Sequence, residues 1–410
     1  MATTNGTPHQ NGTSAHLPVV IAGGGCVGLF LAHLLAQSEI PNPIIVIEPT
    51  APDLTSTRAM AHQPIMFPLF ARAGLMPELT REGTFSSSLC FRTSVANGSK
   101  VLAGKVFKEG EKAQLLLPQG RFQDVLVRKV EGSGKGSVRW GWRVIGFEER
   151  GDQGRRTGRV DVRVQNGSGG EEEVIEAVYL VGADGAHSQV RKSLNFAFPG
   201  ETLSTQLVAT DVVYDFRAQG FYDANFVVDP ELYGLIGRID DAGLWRVSYG
   251  VPAETSEEEI RRDVGLRLRR MMPDDGAAGF EVKRVAPYKA QQRGRVADGG
   301  IVTNPYAGLG LASGIADVSS LAAVLIRILS SEAADADKLF LSWSLARRQR
   351  FNSVVDKPSR AAYARVRTKV DTEDEIKAML ENDPLVSSLD KGMPVMPPSL
   401  ETKVEELVGW

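Results

Sequence analysis

Val19-Val20-Ile21-Ala22-Gly23-Gly24-Gly25-Cys26-Val27-Gly28-Leu29-Phe30 is the stretch that decides the fold. An apolar run of strand type enters G-x-G-x-x-G at Gly23, Gly25 and Gly28, and a helical pattern follows from Val27 to about Gln37. A second apolar run, Ile44-Ile45-Val46-Ile47, ends at Glu48, twenty residues after Gly28. Each part has a physical task. Gly23 permits the tight turn, Gly25 lets backbone approach a pyrophosphate, and Gly28 lets helix and strand pack closely. The helix start offers free N–H groups and the positive end of its dipole to phosphate. Glu48 stands where a carboxylate accepts hydrogen bonds from a ribose 2′-hydroxyl. Strand, helix and acid together favour a dinucleotide site over a glycine-rich turn in an ordinary β-α-β unit.

The rest of the chain bounds the answer. At 410 residues it exceeds the usual size of one core, so two lobes are expected. With 42% apolar and 24% charged residues, the composition is that of a soluble globular protein. A formal net charge of −3 without a long basic run gives no nucleic-acid footprint. Two cysteines, Cys26 and Cys90, with Cys26 inside the phosphate loop, point to a reducing, cytoplasmic setting. Residues 1–16 read as a polar disordered tail without the regions of a signal peptide. No apolar stretch is expected to reach membrane-spanning length; Leu321 to Leu329 comes nearest. The five histidines, His9, His16, His33, His62 and His187, form no ligand cluster, so no metal site is expected. Oligomeric state is left open.

Two more segments carry chemistry. Ala177-Val178-Tyr179-Leu180-Val181 reads as a buried strand, and it ends at Gly182-Ala183-Asp184-Gly185. A carboxylate on such a turn needs ligand donors or backbone N–H groups, and Ser188 is placed to cap the following helix. Further on, Asn304-Pro305-Tyr306-Ala307-Gly308-Leu309-Gly310-Leu311 opens a mostly buried helix from Leu309 to Leu329. Between these segments, Leu207 to Val251 breaks into short β-rich pieces that suggest an antiparallel sheet. Glu257 to Met272 reads as an amphipathic helix with Ser256 as its N-cap.

An N-terminal G-x-G-x-x-G, a central D-G turn and the later glycine-rich helix start resemble the flavoprotein monooxygenases of the aromatic-hydroxylase type, from about Pro18 to Arg350. The resemblance implies FAD as cofactor, NAD(P)H as reductant, O2 as co-substrate and a phenolic or polyketide-like small molecule as the compound hydroxylated. The wording of Asp223 to Pro230 and of Leu244 to Gly250 resembles a fungal branch active in secondary metabolism. Carried over residue by residue, Gly23, Gly25, Gly28, Glu48, Arg58, Gln119, Asp184, Asp298, Gly308, Gly310 and Leu311 are the expected FAD-binding positions. The implied architecture is an α/β fold: a Rossmann-like FAD-binding lobe, a second lobe built on an antiparallel β-sheet that holds substrate, and C-terminal helices. Its expected partition is FAD lobe at 17–200, substrate lobe at 201–288, a return to the FAD lobe at 289–350, and a helical region at 351–410.

The sequence departs from the family at Arg293-Gly294-Arg295-Val296-Ala297-Asp298-Gly299-Gly300-Ile301. The family has an apolar strand there, followed by Gly/Ala-Asp-Ala-Ala-His. Asp298 aligns with the family aspartate, but only Val296 and Ala297 remain of the strand, so a truncated or irregular element is expected. Two readings follow: an FAD-dependent monooxygenase with a gapped wall, or a flavin-fold enzyme that has lost redox activity and catalyses a non-oxidative step such as cyclisation or dehydration. A non-enzymatic dinucleotide-binding protein is a third. On the substrate side, Arg246 and Tyr249 are the first catalytic candidates. They are three apart on one strand, so a regular strand turns only one of them to the cavity. His62, read as one helical turn beyond Arg58, is the candidate base or hydrogen-bond donor beside the flavin.

Overall fold

The opening motif folds as its pattern implies, as strand Val19–Ala22, helix Cys26–Gln37 and strand Ile44–Glu48. The computed structural model describes residues 16–410 apart from 112, 153–154, 296–299, 332–334 and 393–397. The two strands lie parallel, with Val19 opposite Ile44. Tyr179–Gly182 joins on one side and Gly136–Trp140 on the other, also parallel.

Helix Cys26–Gln37 is buried on nearly every side because it is sandwiched. It packs on the parallel sheet, on helix Gln119–Glu131 and on helix Gly310–Ser330. The core there joins Leu29, Phe30 and Leu35 to Phe70, Phe122, Ile315 and Leu325. At 21 residues, Gly310–Ser330 is long and apolar enough to cross a bilayer, which corrects the expectation that no stretch reaches that length. Its Ile315, Ala316, Val324 and Leu325 are almost wholly buried in this core, the pattern of a central helix of the fold. On the opposite face of the parallel sheet, a three-stranded antiparallel sheet (Trp142–Asp152, Arg155–Asn166, Glu172–Ala177) sets Val144, Val162 and Val164 against Val20, Ala22 and Ile47.

The second lobe is an eight-stranded sheet. Its order is Gly300–Val302, Glu281–Arg295, Gly200–Val213, Leu244–Pro252, Gly234–Arg238, Ala224–Val228, Ser88–Thr93, Val101–Val106. Neighbours are antiparallel except Ala224–Val228 and Ser88–Thr93, which run parallel with Ala224 opposite Leu89. The partition at 17–200 and 201–288 therefore needs correction. Ser88–Thr93 and Val101–Val106 belong to the second lobe, and Glu281–Arg295 runs past 288. Long-range pairing of this kind leaves no local signal in the chain.

One face of this sheet is apolar. Val208, Val212, Val247 and Tyr249 pack against helix Glu257–Arg269, which begins with a full capping box between Ser256 and Glu259. The C-terminal region is helical over Ala336–Arg350 and Lys357–Val366, with a π-helical turn at Phe351–Asp356 between them. Arg347, wholly buried, donates to Asp317 Oδ1, to the Leu400 carbonyl (2.6 Å) and to Thr402 Oγ1 (2.9 Å), strapping the last residues across helix Gly310–Ser330.

The shortened third motif has a definite fate. Among the described residues no fifth parallel strand follows Tyr179–Gly182. The described residues on either side of that segment pair with each other in the other sheet, with Arg295 opposite Gly300 and Arg293 opposite Val302. Asp298 lies outside the described residues.

Candidate active site

The three motif glycines fill three different roles. Gly23 has φ +108, and a Cβ there would meet the Ala183 carbonyl oxygen at 2.3 Å. A Cβ on Gly28 would strike the Gly23 carbonyl oxygen at 2.0 Å, so helix and turn touch. A Cβ on Gly25 meets nothing within 4 Å. That open space fronts the start of helix Cys26–Gln37, which has no side-chain cap. Uncapped N–H groups facing an open cradle are what a pyrophosphate needs. Glu48 reaches back to this loop, accepting from Gly24 N (2.7 Å) and from Thr50 N (3.0 Å). Gln123, which the sequence reading missed, donates Nε2 to the Gly24 carbonyl (2.7 Å) and fixes the loop from helix Gln119–Glu131.

Arg58 and Gln119, distant in sequence, come together here. The Gln119 amide donates to the Ala59 carbonyl (2.7 Å), and the Cys26 thiol points to the Gln119 carbonyl (3.9 Å). Arg58 is exposed, with no hydrogen-bond partner among the described residues. Burial raises the Cys26 thiol to about 12, so it stays a neutral packing group. On the D-G turn, Asp184 Oδ2 accepts from the amides of Gln189 (2.6 Å) and Val190 (3.3 Å), and Ser188 caps the same short helix through Arg191 N (3.0 Å). Asp184 Oδ1 is buried without a partner, an acceptor awaiting a donor. At the third motif Gly308 takes φ +64, and helix Gly310–Ser330, with Leu311 in its first turn, starts without a side-chain cap. An open cradle, an orphaned carboxylate oxygen and two uncapped helix starts fit a dinucleotide with a flavin.

The second wall is the inner face of the eight-stranded sheet. Paired residues share a face, so the register writes this surface out. Asp211 lies between Arg246 and Arg284; Ala209 lies between Ser248 and Ala286; Leu207 lies between Gly250 and Tyr288. The middle row consists of small side chains. Arg246 donates Nε to Asp211 Oδ1 (2.7 Å) and Nη2 to the Thr57 carbonyl (2.7 Å) and hydroxyl (2.8 Å). Thr57 in turn donates to Asp211 and accepts from Arg284 (3.0 Å). Arg246 bonds Asp211 directly and Arg284 reaches it through the Thr57 hydroxyl, so two guanidiniums stand beside one carboxylate and these groups carry one excess positive charge. Tyr288 is 40% exposed, yet burial pushes its hydroxyl up to about 12 against the pull of Arg246. That combination describes a side chain in the wall of a cleft. Tyr233, whose hydroxyl occupies the space a Cβ on Gly250 would need, stands with Tyr306 and Tyr363 at the far end.

Two catalytic candidates move. Tyr249 does turn away from Arg246, as a regular strand requires, and it lies 2% exposed among Trp245, Val247 and Ile260 on the helix-covered face. That placement takes it off the cleft side. His62 is not on a helix. It sits in the two-residue strand Ala61–His62, 4% exposed, with its ring 4.6 Å from Phe122 and 5.7 Å from Phe70. Burial lowers it to about 4, against a backbone hydrogen bond at Leu117, so it is a neutral ring sealed in the core. A sealed neutral ring does not serve as a base for an open cleft.

The profile of the FAD binding domain family matches residues 16–358. The chain belongs to that family. Para-nitrophenol 4-monooxygenase of Pseudomonas sp. (strain WBC-3) is 31% identical over 346 residues, covering 81% of this chain and 83% of its own. The crystal structure of p-nitrophenol 4-monooxygenase PnpA from Pseudomonas putida DLL-E4 superposes with a TM-score of 0.80 at 26% identity, over 92% of this chain and 96% of that one. An FAD-dependent monooxygenase of Aspergillus terreus is 27% identical over 302 residues, 70% of this chain and 42% of its own. Like these relatives, the FAD-binding protein described here is an FAD-dependent monooxygenase. The non-oxidative reading is not favoured, because the relatives that match most of the chain are monooxygenases.

Proposed function

We propose that this enzyme hydroxylates a small phenolic compound, polyketide-like molecules included, with NAD(P)H and O2, and that it serves secondary metabolism in a fungal branch of the family. The observation that carries the phenol is the Asp211–Arg246–Arg284–Thr57 cluster on the cleft floor. FAD, when bound, supplies reductive activation of O2. FAD would be held by Gly23, Gly25 and Gly28 at its pyrophosphate, Glu48 at its ribose, and Arg58, Gln119, Asp184, Gly308, Gly310 and Leu311 around the rest; Asp298, which the resemblance adds, lies outside the described residues.

The chain's own residues then prepare the substrate. A phenol is attacked by an electrophilic oxygen faster as its anion. The cluster's excess positive charge lowers the pKa of a phenol set beside it. Asp211 anchors Arg246 in one orientation, and Thr57 links both guanidiniums. Tyr288 keeps its proton at neutral pH and so offers a donor rather than a competing charge. The small row Ala209, Ser248 and Ala286 gives the ring its space. Tyr249 and His62 support the walls by packing.

The test uses purified FAD-loaded enzyme, a panel of phenols beginning with para-nitrophenol, NADH or NADPH, and 18O2. Product carrying one 18O is expected, with Arg246→Met lowering kcat/KM at least tenfold and Tyr249→Phe leaving it within about threefold. FAD-loaded enzyme that oxidises NAD(P)H yet incorporates no 18O into any phenol would overturn the proposal.

A further inference from the structure

The opposite, helix-covered face of the eight-stranded sheet holds a second polar feature. A small cavity lies between strands Ser88–Thr93 and Ala224–Val228 and the end of helix Glu257–Arg269. At about 10 Å³ it has room for one water-sized particle. Much of its wall is apolar: Phe221, Val227, Leu232, Ile236 and Met271.

Arg92 brings a charge to this place. It is 5% exposed, and every group it bonds is neutral: Nη1 donates to Asn225 Oδ1 (3.2 Å), Nη2 to the Ser99 carbonyl (2.9 Å), and its guanidinium carbon sits 3.7 Å over the Phe221 ring. Among the described residues no carboxylate pairs with it, and its Nε has no partner. Two hydroxyls of the cavity wall are also buried and idle, those of Ser94, itself 1% exposed, and of Ser99. Both are fixed, because the Ser94 carbonyl accepts from the amides of Asn97 and Ser99 and Ser99 is held at φ +52. A second guanidinium, Arg270, also lines the cavity.

A buried cation without a counter-charge is costly, and buried donors without acceptors add to the cost. Water could occupy the space but would leave the charge standing. The geometry points to a binding site for one small monovalent anion of the chloride class, held by Arg92 Nε, Ser94 Oγ and Ser99 Oγ. Its occupant cross-links the one parallel strand pair of the sheet to the helix layer, away from the Arg246 cleft.

The test is thermal unfolding of the FAD-loaded enzyme at constant ionic strength, exchanging gluconate, too large for the cavity, for chloride or bromide. The unfolding midpoint is expected to rise with chloride and bromide and to saturate. Ser94→Ala should raise the half-saturating chloride concentration about tenfold, the equivalent of one hydrogen bond to a charged group. Arg92→Gln should abolish the response. Bromide-soaked crystals should show anomalous density in the cavity. A chloride response equal to that in gluconate, an unchanged response in Arg92→Gln, or a plain water in the bromide crystals overturns the proposal. Should Arg92→Gln fail to fold, an unchanged half-saturating concentration in Ser94→Ala overturns it equally.

Discussion

Asp223→Asn tests the charge network that seats the second lobe. Asp223 is 1% exposed and receives six hydrogen bonds: two each from Arg238 (3.0 and 3.1 Å) and Arg217 (2.8 and 3.2 Å), one from the Ser87 amide (2.7 Å) and one from its hydroxyl (2.8 Å). Burial by itself would raise the carboxyl. Arg238, the Ser87 amide, Arg217 and the Ser87 hydroxyl outweigh it and bring it from 3.8 down to about 2. A drop of nearly two pK units corresponds to about 2–3 kcal/mol of stability. A depressed carboxyl contributes fully above its unfolded value and loses that contribution as pH falls through its folded one. The window is therefore about pH 4 down to about pH 2. Asparagine keeps an acceptor but removes the charge, leaving the buried Arg238 with Asp241 as its one carboxylate among the described residues, so the variant should lose about 2–4 kcal/mol at pH 7. Urea unfolding at pH 7, 5, 3 and 2 reads this directly, with an unchanged m-value as the sign that only stability moved. The gap between the two proteins should close toward pH 2. A gap that stays constant from pH 7 to pH 2, or one below about 1 kcal/mol at pH 7, would refute the reasoning.

Gly25→Val should fold normally yet fail to retain FAD, because its side chain enters the open cradle in front of helix Cys26–Gln37; stoichiometric flavin in the folded variant would show that the pyrophosphate lies elsewhere. Glu48→Ala should weaken FAD binding by about 1.5–3 kcal/mol, the worth of charge-assisted hydrogen bonds, as read by flavin titration of apoprotein. If the flavin wall beside Tyr179–Gly182 is as thin as the short apolar stretch at Val296 and Ala297 implies, water enters more easily. Hydrogen peroxide released per NAD(P)H oxidised, with a good phenol present, should accordingly be a substantial fraction; tight coupling would count against a leaky wall.

Sequence reading works here where function constrains a local pattern. The β-α-β unit, the caps at Ser188 and Ser256 and the helix from Gly310 are written in consecutive residues, and each is found. The weak strand at Val296 was visible as a shortage of apolar residues. What the residues did not reveal is that the flanking Arg293–Arg295 and Gly300–Val302 join the other sheet, because that sheet is built through the pairing of Glu281–Arg295 with the distant strand Gly200–Val213. The same reason hid strand Ser88–Thr93, whose partner Ala224–Val228 lies more than a hundred residues later, and with it Val101–Val106, which pairs with Ser88–Thr93. Alternation did place Arg246 and Tyr249 on opposite faces, but only the register reveals that Arg246 shares its face with Asp211 and Arg284. His62 misled because a titratable residue near a cofactor motif attracts a chemical role, while its aromatic cage comes from Phe70 and Phe122, one on each of two other helices.

The sandwiching of helix Cys26–Gln37 also sets an order of events during synthesis. Its strand partners Tyr179–Gly182 and Gly136–Trp140 emerge from the ribosome well after it, and its helical cover Gly310–Ser330 later still. Leu400 and Thr402, which hold Arg347, come after all of these. The nucleotide-binding unit is thus begun well before its cover is made. For most of translation its apolar faces have no cover, and chains halted before residue 330 present Leu29, Phe30 and Leu35 to whatever meets them. A nascent-chain protease assay should find this N-terminal segment cleavable until the closing helices have been made.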